Sequence, residues 1–276
     1  MRRIFVSSEA ESIFWRDGAV SAKLLTPEEI EELTVFYLNE IPPSPMGFHA
    51  TVFEDNRAYR ARVDEHVRSV LWPKLQPYFL DFVPILGTYV VKEHHRPESE
   101  VAIHQDWTFV DETRARSINV WCPLVDTDRN NGGLFIFKGS HHLQPAARGP
   151  YYPSPLRPLT KVLIEDYLVE LPLKAGEAII YDHSLVHASP ENRSDHTRIA
   201  VNLVLAPHEE QLIHCFFSKT ATDGECEVFA VEQEFFLRNH MKERPEGVPL
   251  LGTLYQPPPV LTVEQLSMLR AAAAVA

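Results

Sequence analysis

"KAGEAIIYDHSLVHASPENRSDHTRIAVNLVLAP", residues 174–207, combines a glycine turn, two apolar runs and a polar segment between them. Apolar runs of this length, bounded by turn residues such as glycine, proline and asparagine, are typical of β-strands joined by short loops. The first run leads to His187, and the second begins at Arg198. The stretch therefore predicts neighbouring strands with a polar hairpin between them.

Short β-rich runs of the same kind begin near residue 82 and continue through the middle of the chain. Few helical patterns separate them, which favours an antiparallel sandwich or barrel with an interior cavity. The other runs are "FVPILGTYVVKE" (82–93), "SEVAIHQDW" (99–107), "RSINVWCPLVD" (116–126) and "GLFIFKGSH" (133–141).

Helical patterns lie towards the two ends of the chain. Thr26 and Glu29 have the spacing of a capping box, and residues 57–75 repeat valines at helical intervals. A last helix is predicted after Thr262, with Gln265 completing its cap. We expect the N-terminal helices to support the sheet.

We expect residues 1–276 to form one domain with three parts. Residues 1–81 are mostly helical, residues 82–207 form the β core, and residues 208–276 are a C-terminal extension. Within the core, residues 143–160 contain five prolines and two tyrosines. A long irregular insertion in a compact domain is usually functional or else disordered, and we interpret this one as a lid.

Charge and composition exclude several kinds of partner. A formal net charge of −12, without a lysine or arginine cluster, argues against binding to nucleic acid. No run of about 20 apolar residues is present, and the basic start lacks the apolar stretch of a signal peptide, so we expect a cytoplasmic protein with no membrane partner. Three cysteines without a CxxC pattern fit neither a disulfide scaffold nor a thiolate zinc site. The sequence does not indicate the oligomeric state.

The motif "HQD" at residues 104–106 is a candidate metal site. Side chains alternate across a strand, so His104 and Asp106 are expected on one face while Gln105 points away. An imidazole and a carboxylate, completed by a second imidazole, form the facial triad that holds ferrous iron. The short motif by itself also fits a solvated or hydrogen-bonded pair.

A second imidazole and a cation occur together in the C-terminal half of the β core. His187 and Arg198 are eleven residues apart, so a hairpin brings both towards one cavity. A buried arginine needs an anion, and its planar fork suits the far carboxylate of a dicarboxylic acid that also chelates the metal. His183 is the alternative histidine ligand, but it lies at a different spacing from Arg198.

These blocks together resemble the phytanoyl-CoA dioxygenase family of iron(II)- and 2-oxoglutarate-dependent oxygenases. The resemblance rests on "HQD", on "NVWCPLVDTDRNNGGLFIFKGSHH" from residue 119, and on the stretch that contains His187 and Arg198. It implies a mainly β protein with flanking helices. Its core would be a double-stranded β-helix of the jelly-roll or cupin-like kind, buttressed by the N-terminal helices.

The resemblance also implies roles for individual residues. His104, Asp106 and His187 would be the iron ligands, and Arg198 would bind the C5 carboxylate of 2-oxoglutarate. Ser189 matches a family position whose hydroxyl also contacts this carboxylate, and Trp121 matches an aromatic residue beside the cosubstrate. Each also has a purely structural interpretation: Ser189 could cap a turn, and Trp121 could belong to the apolar core. Three aromatic residues are candidate substrate contacts: Trp107, Phe109 and Tyr151.

The reaction implied is oxygen-dependent hydroxylation of an unactivated C–H bond in a small metabolite, with release of succinate and carbon dioxide. An amino acid derivative or a natural-product intermediate is expected, because the acidic chain offers no evident docking surface for coenzyme A. Family members that halogenate have a small residue where this chain has Asp106, so halogenation is disfavoured. Desaturation, cyclisation and epimerisation stay open, as do a cupin-like zinc or manganese isomerase and a non-catalytic binding module.

Overall fold

A computed structural model describes residues 2–40, 47–143, 146–219, 224–257 and 259–275. The helices predicted after Thr26, over residues 57–75 and after Thr262 are present. The longer helices are α1 (Ser8–Asp17), α2 (Pro27–Asn39), α3 (Arg57–Leu75) and α6 (Val263–Val275), with the short α4 (Thr160–Val162) and α5 (Phe235–Arg238) between α3 and α6. Within the described residues, no helix is both long and apolar enough to cross a membrane.

Thirteen strands are present in the described residues, and every pairing between them is antiparallel. They are β1 (Ala19–Lys23), β2 (Phe48–Ala50), β3 (Phe82–Lys92), β4 (Val101–His104), β5 (Ile118–Pro123), β6 (Leu134–Ile136), β7 (Val169–Leu171), β8 (Glu177–Asp182), β9 (His187–Ser189), β10 (Arg198–Pro207), β11 (Ile213–Phe217), β12 (Glu225–Ala230) and β13 (Leu250–Tyr255).

The strands form three sheets. The major sheet has the order β1-β8-β5-β10-β3-β2, and the minor sheet has the order β4-β9-β6-β7. Chain neighbours such as β8 and β9 belong to different sheets, which is the crossing pattern of a jelly roll. The inner faces of the two sheets share one apolar cluster, to which Trp121 and Leu134 belong. The expected double-stranded β-helix core is confirmed. Strands β11-β12-β13 form a smaller third sheet.

Alternation along β10 separates the core from the cavity. Ile199, Val201 and Leu203 belong to the apolar cluster beneath the helices, whereas Arg198 and Asn202 line the cavity between the sheets. Successive side chains of a strand point to opposite faces, so a single strand serves both surfaces. This register places Arg198 inside the protein.

The N-terminal helices cover the outer face of the major sheet. Helix α3 packs on β3 and β10, with Val63 and Val67 buried beneath it. The capping box of α2 is present, since Thr26 accepts from the backbone N–H of Glu29 and the Glu29 carboxylate accepts from that of Thr26. Such a cap contributes about 1 kcal/mol by pairing amides that the first turn leaves free. The predicted helical support is therefore confirmed.

The insertion and the last helix cover the outer face of the minor sheet. Leu156 of the insertion and Leu266 of α6 pack with Ile103 and Val186 in one buried cluster. Of the residues 143–160, Gln144 and Pro145 lie outside the described residues. The rest contribute no side chain to the cavity between the sheets, so the lid function stays a prediction.

Candidate metal centre

A cavity of about 280 Å³ lies between the major and minor sheets. His104 and His187 line it from the minor sheet, and Arg198 and Trp121 line it from the major sheet. Much of its remaining wall is apolar, formed by residues such as Val52, Phe53, Leu86, Phe109, Val204 and Met241. A small organic molecule fits such a space, since binding cavities are mostly apolar with a few polar groups that fix orientation.

The two histidines meet through strand pairing. His104 of β4 is the direct cross-strand partner of His187 of β9, and their ring centroids are 4.2 Å apart. Residues opposite each other in an antiparallel pair project from the same face, which explains why both rings enter the cavity. The register shifts between Val101 and His104, so this pairing follows a β-bulge.

Asp106 reaches the histidines from a loop rather than from a strand. Strand β4 ends at His104, so Asp106 lies beyond the strand, although His104 and Asp106 line the cavity and Gln105 does not, as expected. The backbone N–H of Asp106 donates to the carbonyl of His183 at 2.8 Å. Gln105 donates to the carbonyl of Ser184 at 2.5 Å. Loop contacts to the turn after β8 therefore position the carboxylate.

Three potential ligand atoms converge. The Oδ1 of Asp106 lies 3.5 Å from the Nε2 of His104 and 3.7 Å from the Nε2 of His187. One ligand atom from each residue lies within 4.8 Å of the others. Among the described residues, this is the single group of three or more such side chains close enough to share a metal ion.

The backbone sets the tautomer of each histidine. The Nδ1 of His104 lies 2.8 Å from the carbonyl of Ala102, and the Nδ1 of His187 lies 2.9 Å from that of Leu185. A carbonyl only accepts, so each Nδ1 carries the proton. Both Nε2 atoms are therefore free to bind a metal, which is the arrangement common among metal-bound histidines.

Two residues that the sequence reasoning missed hold the other oxygen of Asp106. The Nδ2 of Asn119 donates to its Oδ2 at 3.1 Å, and the hydroxyl of Tyr181 donates to it at 3.2 Å. Asn119 also donates to the Tyr181 hydroxyl at 2.8 Å. Their signal is a polar side chain on the cavity face of an otherwise apolar strand; Asn119 lies two positions before Trp121.

The charges at the site favour an ionised Asp106. Burial raises the pKa of Asp106, but His187 and His104 are protonated in the acid range where this carboxyl titrates, and their attraction and the hydrogen bond from His104 outweigh burial and hold the pKa well below its usual range. Burial lowers the pKa of His187 to about 4, so this imidazole is neutral at pH 7. A carboxylate and a neutral imidazole are the forms that bind metal.

Arg198 is buried without an anion. It is 2% exposed, its Nη1 donates to the carbonyl of Val90 at 3.0 Å, and its Nε has no hydrogen-bond partner. No described carboxylate lies within ion-pair distance of it, and burial lowers its pKa to about 9. Its guanidinium lies 5.4 Å from the centre of the Trp121 ring, a favourable cation–π distance. A site of this kind fits an anionic ligand.

Ser189 lines the cavity, and Lys92 contacts the backbone of Ser189. The hydroxyl of Ser189 donates to the carbonyl of Gly132 at 2.7 Å, so its proton is already used in this structure. Lys92, the cross-strand partner of Arg198, donates to the carbonyls of Ser189 and Pro190 at 2.8 and 2.6 Å. The lysine therefore fixes the backbone beside Ser189, while the predicted role of that hydroxyl stays a prediction.

The alternative metal ligand and two of the three candidate substrate contacts line the cavity, and the third does not. His183 lines it, but its Nδ1 contacts the Ser117 hydroxyl at 2.9 Å and it does not join the group that can share a metal. Trp107 and Phe109 line the cavity, whereas Tyr151 does not appear among its described lining residues. Tyr151 instead lies near Phe216, with ring centroids 6.5 Å apart.

Comparisons with known proteins show which sequences and folds this chain is similar to. Residues 16–200 match the family model described as Phytanoyl-CoA dioxygenase (PhyH). A mouse (Mus musculus) relative, Phytanoyl-CoA dioxygenase domain-containing protein 1, is 32% identical over 130 residues, which are 45% of this chain and 44% of the mouse protein. The chain thus matches less than half the length of that curated relative. Ectoine dioxygenase of Nocardia farcinica (strain IFM 10152) is 27% identical over 76% of this chain and 81% of its own.

A solved structure shares the fold over most of the chain. It is the non-heme alpha ketoglutarate dependent carbocyclase SnoK from nogalamycin biosynthesis, with a TM-score of 0.55 and 18% identity over 90% of this chain and 97% of SnoK. At that identity the likeness is one of fold. The family match covers about two thirds of the sequence and includes the cavity residues up to Arg198. The chain belongs to the phytanoyl-CoA dioxygenase family of iron(II)- and 2-oxoglutarate-dependent oxygenases.

Proposed function

We propose that this protein is an iron(II)- and 2-oxoglutarate-dependent dioxygenase that hydroxylates an unactivated C–H bond of a small metabolite. One observation carries the proposal: the ligand atoms of His104, Asp106 and His187 converge in the cavity that also holds Arg198, whose Nε has no hydrogen-bond partner. Two imidazoles and a carboxylate suit ferrous iron and leave further positions for other ligands. The buried cation matches an anionic cosubstrate.

The residues present fit both groups. His104, Asp106 and His187 would hold the iron through Nε2, Oδ1 and Nε2. Arg198 would bind the C5 carboxylate of 2-oxoglutarate, and Trp121 would flank it. An unpaired buried charge is costly, so a carboxylate that enters this end of the cavity gains a partner which the free protein lacks.

With iron(II) bound, oxygen would be the oxidant of both molecules: one oxygen atom would enter succinate as 2-oxoglutarate releases carbon dioxide, and the other would be inserted into the C–H bond of the substrate. The chain supplies orientation and a water-poor cavity. Asn119 and Tyr181 hold the second oxygen of Asp106, so that its first oxygen stays directed towards the histidines. Arg198 fixes the far end of the diacid and thereby the direction from which it meets the metal.

For the prime substrate we propose a small metabolite, an amino acid derivative or a natural-product intermediate. The cavity volume suits a compact molecule, and the relative named Ectoine dioxygenase covers 76% of this chain. The same cofactor chemistry can also give desaturation, cyclisation or epimerisation, and SnoK is named a carbocyclase. Asp106 supplies the third ligand, which keeps halogenation disfavoured.

We also propose that residues 1–276 act as one cytoplasmic oxygenase domain without nucleic acid or membrane as partners. Helix α3 packs on the major sheet, α6 packs beside the minor sheet, and Phe229 of the third sheet shares an apolar cluster with Val204 of β10. These contacts support the expectation that the C-terminal extension folds with the core. The net charge of −12 disfavours a phosphate backbone as partner.

Anaerobic titration tests the proposal directly. Ferrous iron is added to the metal-free protein, followed by 2-oxoglutarate, and a metal-to-ligand charge-transfer absorption is expected in the visible range. Oxygen is then admitted, and succinate is measured over a panel of metabolites. A protein that binds zinc or manganese but forms no such absorption and no succinate would be an isomerase-like cupin. Iron binding without 2-oxoglutarate turnover across the panel would indicate a binding module.

A further inference from the structure

Asp106 lies in an irregular loop, so its position depends on contacts from outside that loop. Fixing the backbone of one loop residue costs about 1–2 kcal/mol of conformational entropy, which anchoring contacts must offset. The N–H of Asp106 is held by the carbonyl of His183 at 2.8 Å. Its own carbonyl accepts from the Nε of Arg148 at 2.7 Å. The peptide groups on both sides of Asp106 are therefore tied to distant segments.

Arg148 comes from the insertion and is buried against this loop. It is 3% exposed, and its Nη1 and Nη2 form a two-pronged ion pair with Glu112, with 2.9 Å between Nη1 and Oε2. The backbone N–H of Arg148 donates to the hydroxyl of Thr108 at 3.0 Å, and the N–H of Thr108 donates to the carbonyl of Arg148 at 3.0 Å. One planar guanidinium thus spans both ends of the segment from Asp106 to Glu112, which a lysine ammonium cannot reproduce.

A second buried arginine enters the same ion-pair network without contacting Asp106. Arg116 has its Nη1 3.7 Å from Glu112 and its Nε 3.5 Å from Asp182. It is 4% exposed and also donates to the hydroxyl of Ser184 at 3.3 Å. Arg116 is therefore a matched comparison: equally buried, bound to the same glutamate, and not bonded to the carbonyl of Asp106.

We propose that Arg148 is a positioning residue for the metal centre, which holds the backbone of Asp106 so that its carboxylate meets the two histidines. This inference rests on the proposed function, since it assumes that Asp106 binds the metal. The insertion would then hold the loop of Asp106 in place, because residues 146–149 bind this loop on one side and lie against β11 on the other. A Cβ added at Gly149 would come within 1.9 Å of the carbonyl oxygen of Cys215, so the insertion approaches β11 too closely for any larger residue.

The test compares Arg148→Met with Arg116→Met. Arg148→Met leaves Glu112 with only its longer contact to Arg116, and Arg116→Met removes the arginine beside Asp182, so both variants are expected to lower the urea midpoint of unfolding. Only Arg148→Met is expected to weaken cobalt(II) binding at pH 7, by about 10- to 100-fold, as is typical when a group that orients a ligand is lost. Cobalt(II) serves as an oxygen-tolerant probe of the iron site, and its visible spectrum reports the ligand geometry.

Further variants decide the outcome if Arg148→Met does not fold. Arg148→Lys keeps a positive charge beside Glu112, and the double variant Arg148→Met with Glu112→Gln removes both charges. Both are expected to recover stability and to keep the weakened cobalt(II) binding. Wild-type cobalt(II) affinity in these variants, or an equal loss in Arg116→Met at equal stability, would overturn the inference. Failure of the wild type itself to bind cobalt(II) would instead defeat the proposed function.

Discussion

His104 and His187 face each other across strands β4 and β9, and each donates its Nδ1 proton to the backbone carbonyl two residues before it. Their Nε2 atoms therefore lie on the same side of the pair, with the Oδ1 of Asp106 at 3.5 and 3.7 Å from them. Backbone hydrogen bonds therefore orient both imidazoles. A site with oriented ligands loses little entropy when it binds an ion, so tight and geometrically defined binding is expected.

Replacement of one histidine ligand tests the metal centre. His187→Ala removes one of three proposed ligands of ferrous iron. Changes to residues that only support a ligand typically weaken metal affinity about 10- to 100-fold, and the loss in His187→Ala is expected to be larger. His183→Gln is the control, because His183 lines the cavity but lies outside the converging group. Anaerobic titration with a colorimetric iron chelator as competitor gives both affinities. Equal losses in the two variants would contradict the assignment of His187.

Arg198→Met tests the cosubstrate end of the cavity. Loss of one partner of a buried charged contact costs about 2–5 kcal/mol, so the affinity for 2-oxoglutarate is expected to fall about 30-fold to several thousandfold. Iron binding should stay intact, since Arg198 contacts no proposed ligand. The urea midpoint should stay equal or rise, because the free protein no longer buries an unpaired cation. Charge-transfer titration measures the first effect, and an unchanged 2-oxoglutarate affinity would reject the role of Arg198.

Tyr181→Phe tests the support of the Asp106 carboxylate. The variant removes the hydroxyl that donates to Oδ2 at 3.2 Å and leaves the ring in place. We expect the affinity for cobalt(II) to fall about 10-fold, which is the lower end of the loss that is typical when a group supporting a metal ligand is removed. Tyr167→Phe is the matched control, since its hydroxyl contacts Ser267 of α6 at 2.7 Å, away from the cavity. A similar loss in both variants would point to a general effect on packing.

The burial of Lys92 is expected to make the stability of the protein depend on pH. Burial lowers the pKa of Lys92 to about 6, whereas an unfolded lysine has a pKa of about 10.4. Between these values the unfolded chain binds one proton more than the folded protein, so this residue makes stability rise with pH by about 1.4 kcal/mol per unit. The free energy of unfolding of wild type minus that of Lys92→Met should therefore increase by about 2.7 kcal/mol from pH 7 to pH 9.

Urea unfolding of both proteins at the two pH values measures this difference, and contributions of the other titrating groups largely cancel in it. A difference that does not change with pH would mean that Lys92 stays protonated in the folded protein. The carbonyls of Ser189 and Pro190 would then stabilise the ammonium enough to offset its burial.

Local signals predicted helices well and the route of one loop poorly. The capping box at Thr26 and the helix over residues 57–75 depend on neighbours within four positions, and both are present as expected. The cap of the last helix also forms, with the N–H of Gln265 donating to the hydroxyl of Thr262 at 3.3 Å. The side chains of His104, Gln105 and Asp106 alternate as expected, but strand β4 ends at His104, so Asp106 lies where the chain turns towards the loop after β8. No periodicity in the sequence encodes that turn.

The sequence by itself determined the jelly-roll class, the helical support and the identities of the four side chains that converge on the cavity. Residue type and spacing indicated the antiparallel strands and the helices, because they act within one strand, hairpin or helix, whereas the jelly-roll class and the roles of the four side chains came from the resemblance to the family. Only the tertiary structure decided how Asp106 is held. Asn119, Tyr181 and Arg148 reach it from three separate segments, and the pairing of buried donors and acceptors across such distances depends on how those segments pack together.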